Sequence, residues 1–270
     1  MEKLLIIQLI AHLLADFFFQ TENLSRGKQR QGLSSWHIWA HSGIVLLVSL
    51  LLTLTCEFIL YAVAITILHL LIDYLKGLTD RLMIRKQIAK QDTQRNTQQQ
   101  LLFFADQLLH LVVIYWIVKL YFERTGVMPG YLDLFSINQL LFVFGFLFCL
   151  KPANIIIRIC LSSLNLPVLK NESQTSEKQP EEEIRRGLEK AGRWIGSFER
   201  ILALLLVLSQ QYTAIGFIIT AKSILRFSDK ELYKTEYVLV GTLMSFGIAI
   251  MIGIALQSGY MEVLLKNMCS

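Results

Sequence analysis

Apolar runs separated by short polar stretches set the pattern of this chain. The runs cover about 3–20, 36–55, 57–75, 101–122, 135–151, 201–221 and 237–257, most of them near the ~20 residues that cross a bilayer as a helix. After Pro152 the stretch "NIIIRICLSSL" continues the fifth run along the membrane surface. Residues 163–183, "SLNLPVLKNESQTSEKQPEEE", are polar with two prolines and read as a linker. "EEEIRRGLEKAGRWIGSFER" then has the pattern of an amphipathic surface helix. The run 201–221 is interrupted by "SQQYT", which leaves two arms each about half a bilayer long. It is therefore open to two readings, a full span or a re-entrant hairpin. The expectation is an all-α polytopic transmembrane bundle of six or seven segments. Its blocks are 1–122 (four helices), 123–162 (fifth span and interfacial stretch), 163–197 (linker and amphipathic helix) and 198–270 (C-terminal segments).

Composition sharpens this. Of 270 residues 54% are hydrophobic and only 17% charged, and the mean hydropathy is +0.49. Soluble domains carry about 25% charged residues, so that class is excluded. The net charge of +5 comes from loop Lys and Arg rather than from a nucleic-acid surface. Residues 21–35, 76–100 and 151–197 hold three, six and eight Lys or Arg, against one in 123–134. The positive-inside rule puts the three basic loops in the cytoplasm and Met1 outside. Lys222, Arg226, Lys230 and Lys234 fit that scheme only if 201–221 re-enters. Cys56, Cys149, Cys160 and Cys269 are scattered without metal-site spacing. The sequon at Asn171 falls in a cytoplasmic loop, and the N-terminus lacks the basic region and small-residue site of a cleaved signal peptide.

Candidate chemistry sits in the first four runs. They contain all five histidines, and each carries a pair four residues apart: His12 with Asp16, His37 with His41, His69 with Asp73, Asp106 with His110. Residues four apart share a helix face, so each pair points two ligand-type groups one way. The pairs fall at the end of the first run, the start of the second, the end of the third and the start of the fourth. Successive helices run in opposite directions, so all four pairs reach one side of the membrane, the cytoplasmic side by the charge assignment. Ionisable groups inside a bilayer are expensive and mark function. Imidazole and carboxylate suit a divalent metal such as zinc, manganese or iron, for two ions or for one ion with outer carboxylates orienting the histidines. Hydrogen bonding between helices and a proton relay are the alternative uses of the same residues.

Around this layer, Gln20 and Gln107 are placed to orient water or substrate, and Lys76 to attract an anionic head group. Trp36 and Trp39 belong to an aromatic belt. In the second half Arg200, Lys222 and Arg226, with Glu199 and Glu236, mark either interfacial anchoring or a basic pocket for a lipid phosphate. Gly241 and Ser245 form a close-packing step.

"HLLADFFFQ", "HLLIDYLK", "ADQLLHL", "GRWIGSFERIL", "AKSILRF" and "EYVLVGTLMSF" resemble the bacterial membrane family called domain of unknown function 3307, over nearly the whole chain apart from the linker. A looser likeness is to membrane-bound metal-dependent hydrolases of the YdjM type. It implies that His12, Asp16, His41, His69, Asp73, Asp106 and His110 are metal-site residues. The leading expectation is an inner-membrane, metal-dependent hydrolase of a membrane-associated substrate such as a lipid phosphate ester, with Asp106 or Asp16 as general base. A transporter or proton or metal-ion relay is the alternative, and a scaffold docking a cytoplasmic protein is the third. The expected partners are the bilayer and a lipid or anionic substrate, with no nucleic acid. The oligomeric state stays open.

Overall fold

A computed structural model describes residues 1–20, 36–86, 92–127, 129–162, 179–226 and 232–257. The basic loop 21–35, most of the linker (163–178), residues 227–231 and the tail from 258 lie outside the described residues. Every regular element described is helical: α1 Glu2–Leu13, α2 Trp36–Thr53, α3 Ile59–Lys86, α4 Asp92–Thr125, α5 Ile137–Leu150, α6 Pro152–Ser162, α7 Gln179–Leu208, α8 Tyr212–Arg226 and α9 Leu232–Gln257. Three short pieces join them, a π-helical stretch Leu14–Phe19 after α1 and 3₁₀ turns at Cys56–Phe58 and Gly130–Leu134.

Four helices are long and apolar enough to cross a membrane, within Trp36–Thr53, Cys56–Leu82, Thr97–Thr125 and Leu239–Gln257. Together α5 and α6 make a fifth if counted as one span bent by 42°. Large apolar side chains such as Leu47, Leu60, Ile67, Leu108, Trp116 and Met251 are exposed. In water such a surface would drive association; against lipid it is the ordinary outer face. The chain is a multi-pass membrane protein. The first apolar run is a 12-residue helix plus a π stretch rather than one long helix. The third and fourth extend well past their apolar cores, because Lys, Arg and Gln are good helix formers once outside lipid. Residues 179–183, expected in the linker, open α7.

The described residues divide into two compact units, Met1–Phe144 and a second that begins at Gly145, the boundary falling inside α5. In the first unit α1 packs on α2, α2 on α3, α3 on α4, and α4 closes the ring on α1. At one end of this bundle Tyr121 lies edge-on to Phe58 and Tyr61, each ring centroid 5.1 Å away. There Lys3 donates to the Leu132 carbonyl at 3.0 Å, and the Tyr131 hydroxyl donates to the Leu52 carbonyl. Burial raises the pKa of that phenol.

In the second unit α7 and α9 pack closely, around Ala203, Leu204, Val207, Phe246 and Ala249. A Cβ on Gly253 would stand 2.7 Å from Val207 Cβ, so only glycine permits this approach. The "SQQYT" interruption is a turn in which Gln210 takes φ 60°, and it folds α8 back beside α7. The pair Lys222–Glu199 joins the far ends of the two arms. A helical hairpin, as the second reading of 201–221 required, is what the chain forms there.

Candidate metal centre

Three of the four four-residue pairs converge, together with His41 of the fourth. His12 ends α1, Asp16 lies in the π stretch, His41 is on α2, His69 and Asp73 are on α3, and Asp106 and His110 are on α4. A π turn holds an extra residue, is rare, and concentrates at functional sites; here it presents Asp16 to two neighbouring helices. Asp16 Oδ1 lies 3.3 Å from His41 Nε2 and 3.3 Å from His69 Nε2. The two nitrogens face each other at 3.1 Å. Asp73 Oδ2 stands 3.6 and 3.7 Å from the same nitrogens. His12 Nδ1 is 3.9 Å from Asp16 Oδ1. The rings form a continuous row, with centroids 5.2 Å apart for His41–His69, 4.1 Å for His69–His110 and 5.2 Å for His110–His12.

The layer is dry. His41 is 0%, His110 1% and Asp106 3% exposed. His12 Nε2, both ring nitrogens of His110 and Asp106 Oδ1 have no hydrogen-bond partner. Buried polar atoms left unmatched cost about 1–3 kcal/mol each, and several in one place could be matched by a metal ion. The donor types agree. Nitrogen and oxygen atoms around tetrahedral zinc with bonds of about 2.0–2.1 Å stand roughly 3.3–3.4 Å apart, and the His41–His69–Asp16 triangle has sides of 3.1, 3.3 and 3.3 Å. Among the described residues three groups have ligand atoms within 4.8 Å of one another: His12–Asp16–His110, Asp16–His41–His69 and His69–Asp73–His110.

His37 is in none of these groups; it is half-buried near the start of α2, with its ring 4.6 Å from that of Trp36. Lys76 Nζ meets Asp106 Oδ2 at 2.7 Å, with the lysine 25% exposed. Gln107 Nε2 donates to the same oxygen at 3.2 Å.

Two features escaped the sequence reading. Gln8, one turn before His12, is buried and bonded on α2: its amide donates to Thr53 Oγ1 and Ser49 Oγ donates to its carbonyl at 2.8 Å. The signal was present, since 8, 12 and 16 are spaced by four. The second feature corrects the reading of Arg200 as an anion site. Its side chain is 2% exposed and turned inward. Nε donates to the Cys149 carbonyl at 2.7 Å, Nη1 to Ser245 Oγ at 2.9 Å, and Nη2 to Asn154 Oδ1 at 2.6 Å and Ser197 Oγ at 3.2 Å. Pro152, lacking an N–H, breaks the helix, and Arg200 serves the carbonyls stranded at the end of α5. Lys222 is held by Glu199, and the side chain of Arg226 lies outside the described residues.

The family described as protein of unknown function (DUF3307) matches residues 4–137. The matched region holds every residue of the His/Asp layer and ends at the start of α5, so "GRWIGSFERIL", "AKSILRF" and "EYVLVGTLMSF" lie beyond it. The comparison does not show the likeness to YdjM-type hydrolases. No curated protein and no solved structure matches the chain.

Proposed function

We propose that the chain is a metal-dependent hydrolase of the bacterial cytoplasmic membrane, acting on a lipid phosphate ester. The carrying observation is the triangle of His41 Nε2, His69 Nε2 and Asp16 Oδ1, which has the edge lengths of a three-ligand site with one open position. A divalent ion there would supply Lewis acidity toward water and toward a phosphoryl oxygen. Asp73 Oδ2, 3.6 and 3.7 Å from the same two nitrogens, adds a second carboxylate beside the ion's place. Since Asp16 belongs to the ligand triangle, Asp106 is the general base. Lys76 and Gln107 hold its Oδ2 and leave Oδ1 to take a proton. As the water oxygen bonds to phosphorus, the ester P–O bond breaks and the water proton passes to Asp106. Asp106 then returns a proton to the departing alkoxide. Lys76, part-exposed beside the layer, attracts the anionic head group. The charge of the basic loops supports a layer at the cytoplasmic face, and the α7–α8 hairpin supports re-entry of that segment.

A relay of protons or metal ions is the second reading. It is favoured by the continuous imidazole row and by the Gln8–Ser49–Thr53 track that continues from His12.

The test is metal content by mass spectrometry on detergent-purified protein, with phosphate release from lipid phosphate esters in mixed micelles. Wild type should retain zinc, manganese or iron near stoichiometry, and His41→Ala and Asp73→Ala should lose most of it. Hydrolysis should fall at least about 100-fold in His41→Ala, since removing a ligand exceeds the 10–100-fold effect of an outer-shell residue. A folded wild type that takes up no ion after reloading overturns the hydrolase. Bound ion without ester hydrolysis moves the function to the relay.

A further inference from the structure

The triangle at His41, His69 and Asp16 uses only part of the layer. Once His41 and His69 are committed to it, with Asp73 beside them, imidazole nitrogens remain on His12 and His110. His110 is 1% exposed and hydrogen-bonded at neither nitrogen, and His12 Nε2 is likewise without a hydrogen-bond partner. Their rings are 5.2 Å apart. With Asp16 these two residues form a second group whose ligand atoms lie within 4.8 Å of one another. Asp16 belongs to both groups, and a carboxylate has two oxygens to share between neighbouring cations. A single ion at the triangle leaves His12 Nε2 and the His110 nitrogens unmatched in a buried layer. A second ion satisfies them.

We infer that the layer is a dinuclear centre, with Asp16 bridging one ion held by His41 and His69 and a second held by His12 and His110. This rests on the metal reading above and narrows its substrate. Two ions about 3.5–4 Å apart clamp the attacking and leaving oxygens of an in-line displacement at phosphorus. A phosphate ester, rather than an acyl bond, is then the substrate class. Asp106 Oδ1, 3.9 Å from His110 Nδ1 and not hydrogen-bonded to it, stays free beside the second position to act as base.

The experiment counts ions and reads their coupling. Full-length protein is stripped and reloaded with manganese; metal per chain is measured by mass spectrometry, and the sample is examined by electron paramagnetic resonance. The expected result is two manganese per wild-type chain with the spectrum of an exchange-coupled pair. His110→Ala should keep one ion, with the spectrum of isolated manganese. One ion per wild-type chain, lost in His41→Ala but untouched by His110→Ala, would overturn the dinuclear centre and leave the mononuclear hydrolase standing. No ion in wild type overturns both. The wild-type count decides the matter even if a variant fails to fold.

Discussion

Arg200 shows what a single side chain must do where a helix breaks in lipid. Irregular backbone at membrane depth survives only if its polar groups are matched by protein, and the planar guanidinium carries five donors in a fixed fork. Here the fork reaches a carbonyl, two hydroxyls and an amide oxygen at once. Arg200→Lys keeps the charge and loses the fork. It should destabilise the protein by about 1–3 kcal/mol, seen as a lower thermal midpoint in detergent, while Ser245→Ala, which removes one acceptor, should cost less. Sequence patterning marked Arg200 only as a charge at the edge of an apolar run. Its inward turn depends on Asn154 and Ser245, remote in the chain, which no local period reveals. The residues of the His/Asp layer were far more legible, because a four-residue spacing on a helix fixes direction before any fold is known. That spacing does not say at which turn of α2 the layer passes. His41 lies in it, while His37, one turn earlier, packs against Trp36.

At the level of elements, apolar runs located the membrane portions of α2, α3, α4 and α9 but not where the helices stop. Hydropathy reports the solvent, and a helix does not end where lipid does. The α7–α8 hairpin was visible as an interruption, yet its close partner α9 was not. That contact rests on Gly253, where a Cβ would press on Val207 Cβ and Cγ1 at 2.7 Å. A β-carbon cannot swing aside as a flexible chain end can, so the helices themselves must part. Gly253→Ala should destabilise by about 1–3 kcal/mol. Adding Val207→Ala should recover part of that loss, and a thermal double-mutant cycle would read the coupling directly. Strictly additive effects would mean that α7 and α9 do not meet at this pair.

For the molecule as a whole, orientation follows from loop charge and can be tested with a thiol already present. Cys56, free and exposed in the link between α2 and α3, should react with a membrane-impermeant maleimide in intact spheroplasts. With Cys56→Ser in place, Thr97→Cys should label only after permeabilisation. The opposite pattern would put the His/Asp layer at the outer face. The π stretch Leu14–Phe19 has a consequence at the level of the gene. A π turn is an α turn with one residue inserted, so losing a single codon there lets the backbone close into ordinary helix. The flanking helix then keeps its phase, with His12 and Gln8 in place, but the residues of the stretch re-space and Asp16 loses the offset that presents it to His41 and His69. A stretch of lipid-facing helix shrugs off many substitutions, but shortening this one by a residue costs the layer the placement of its shared carboxylate, Asp16.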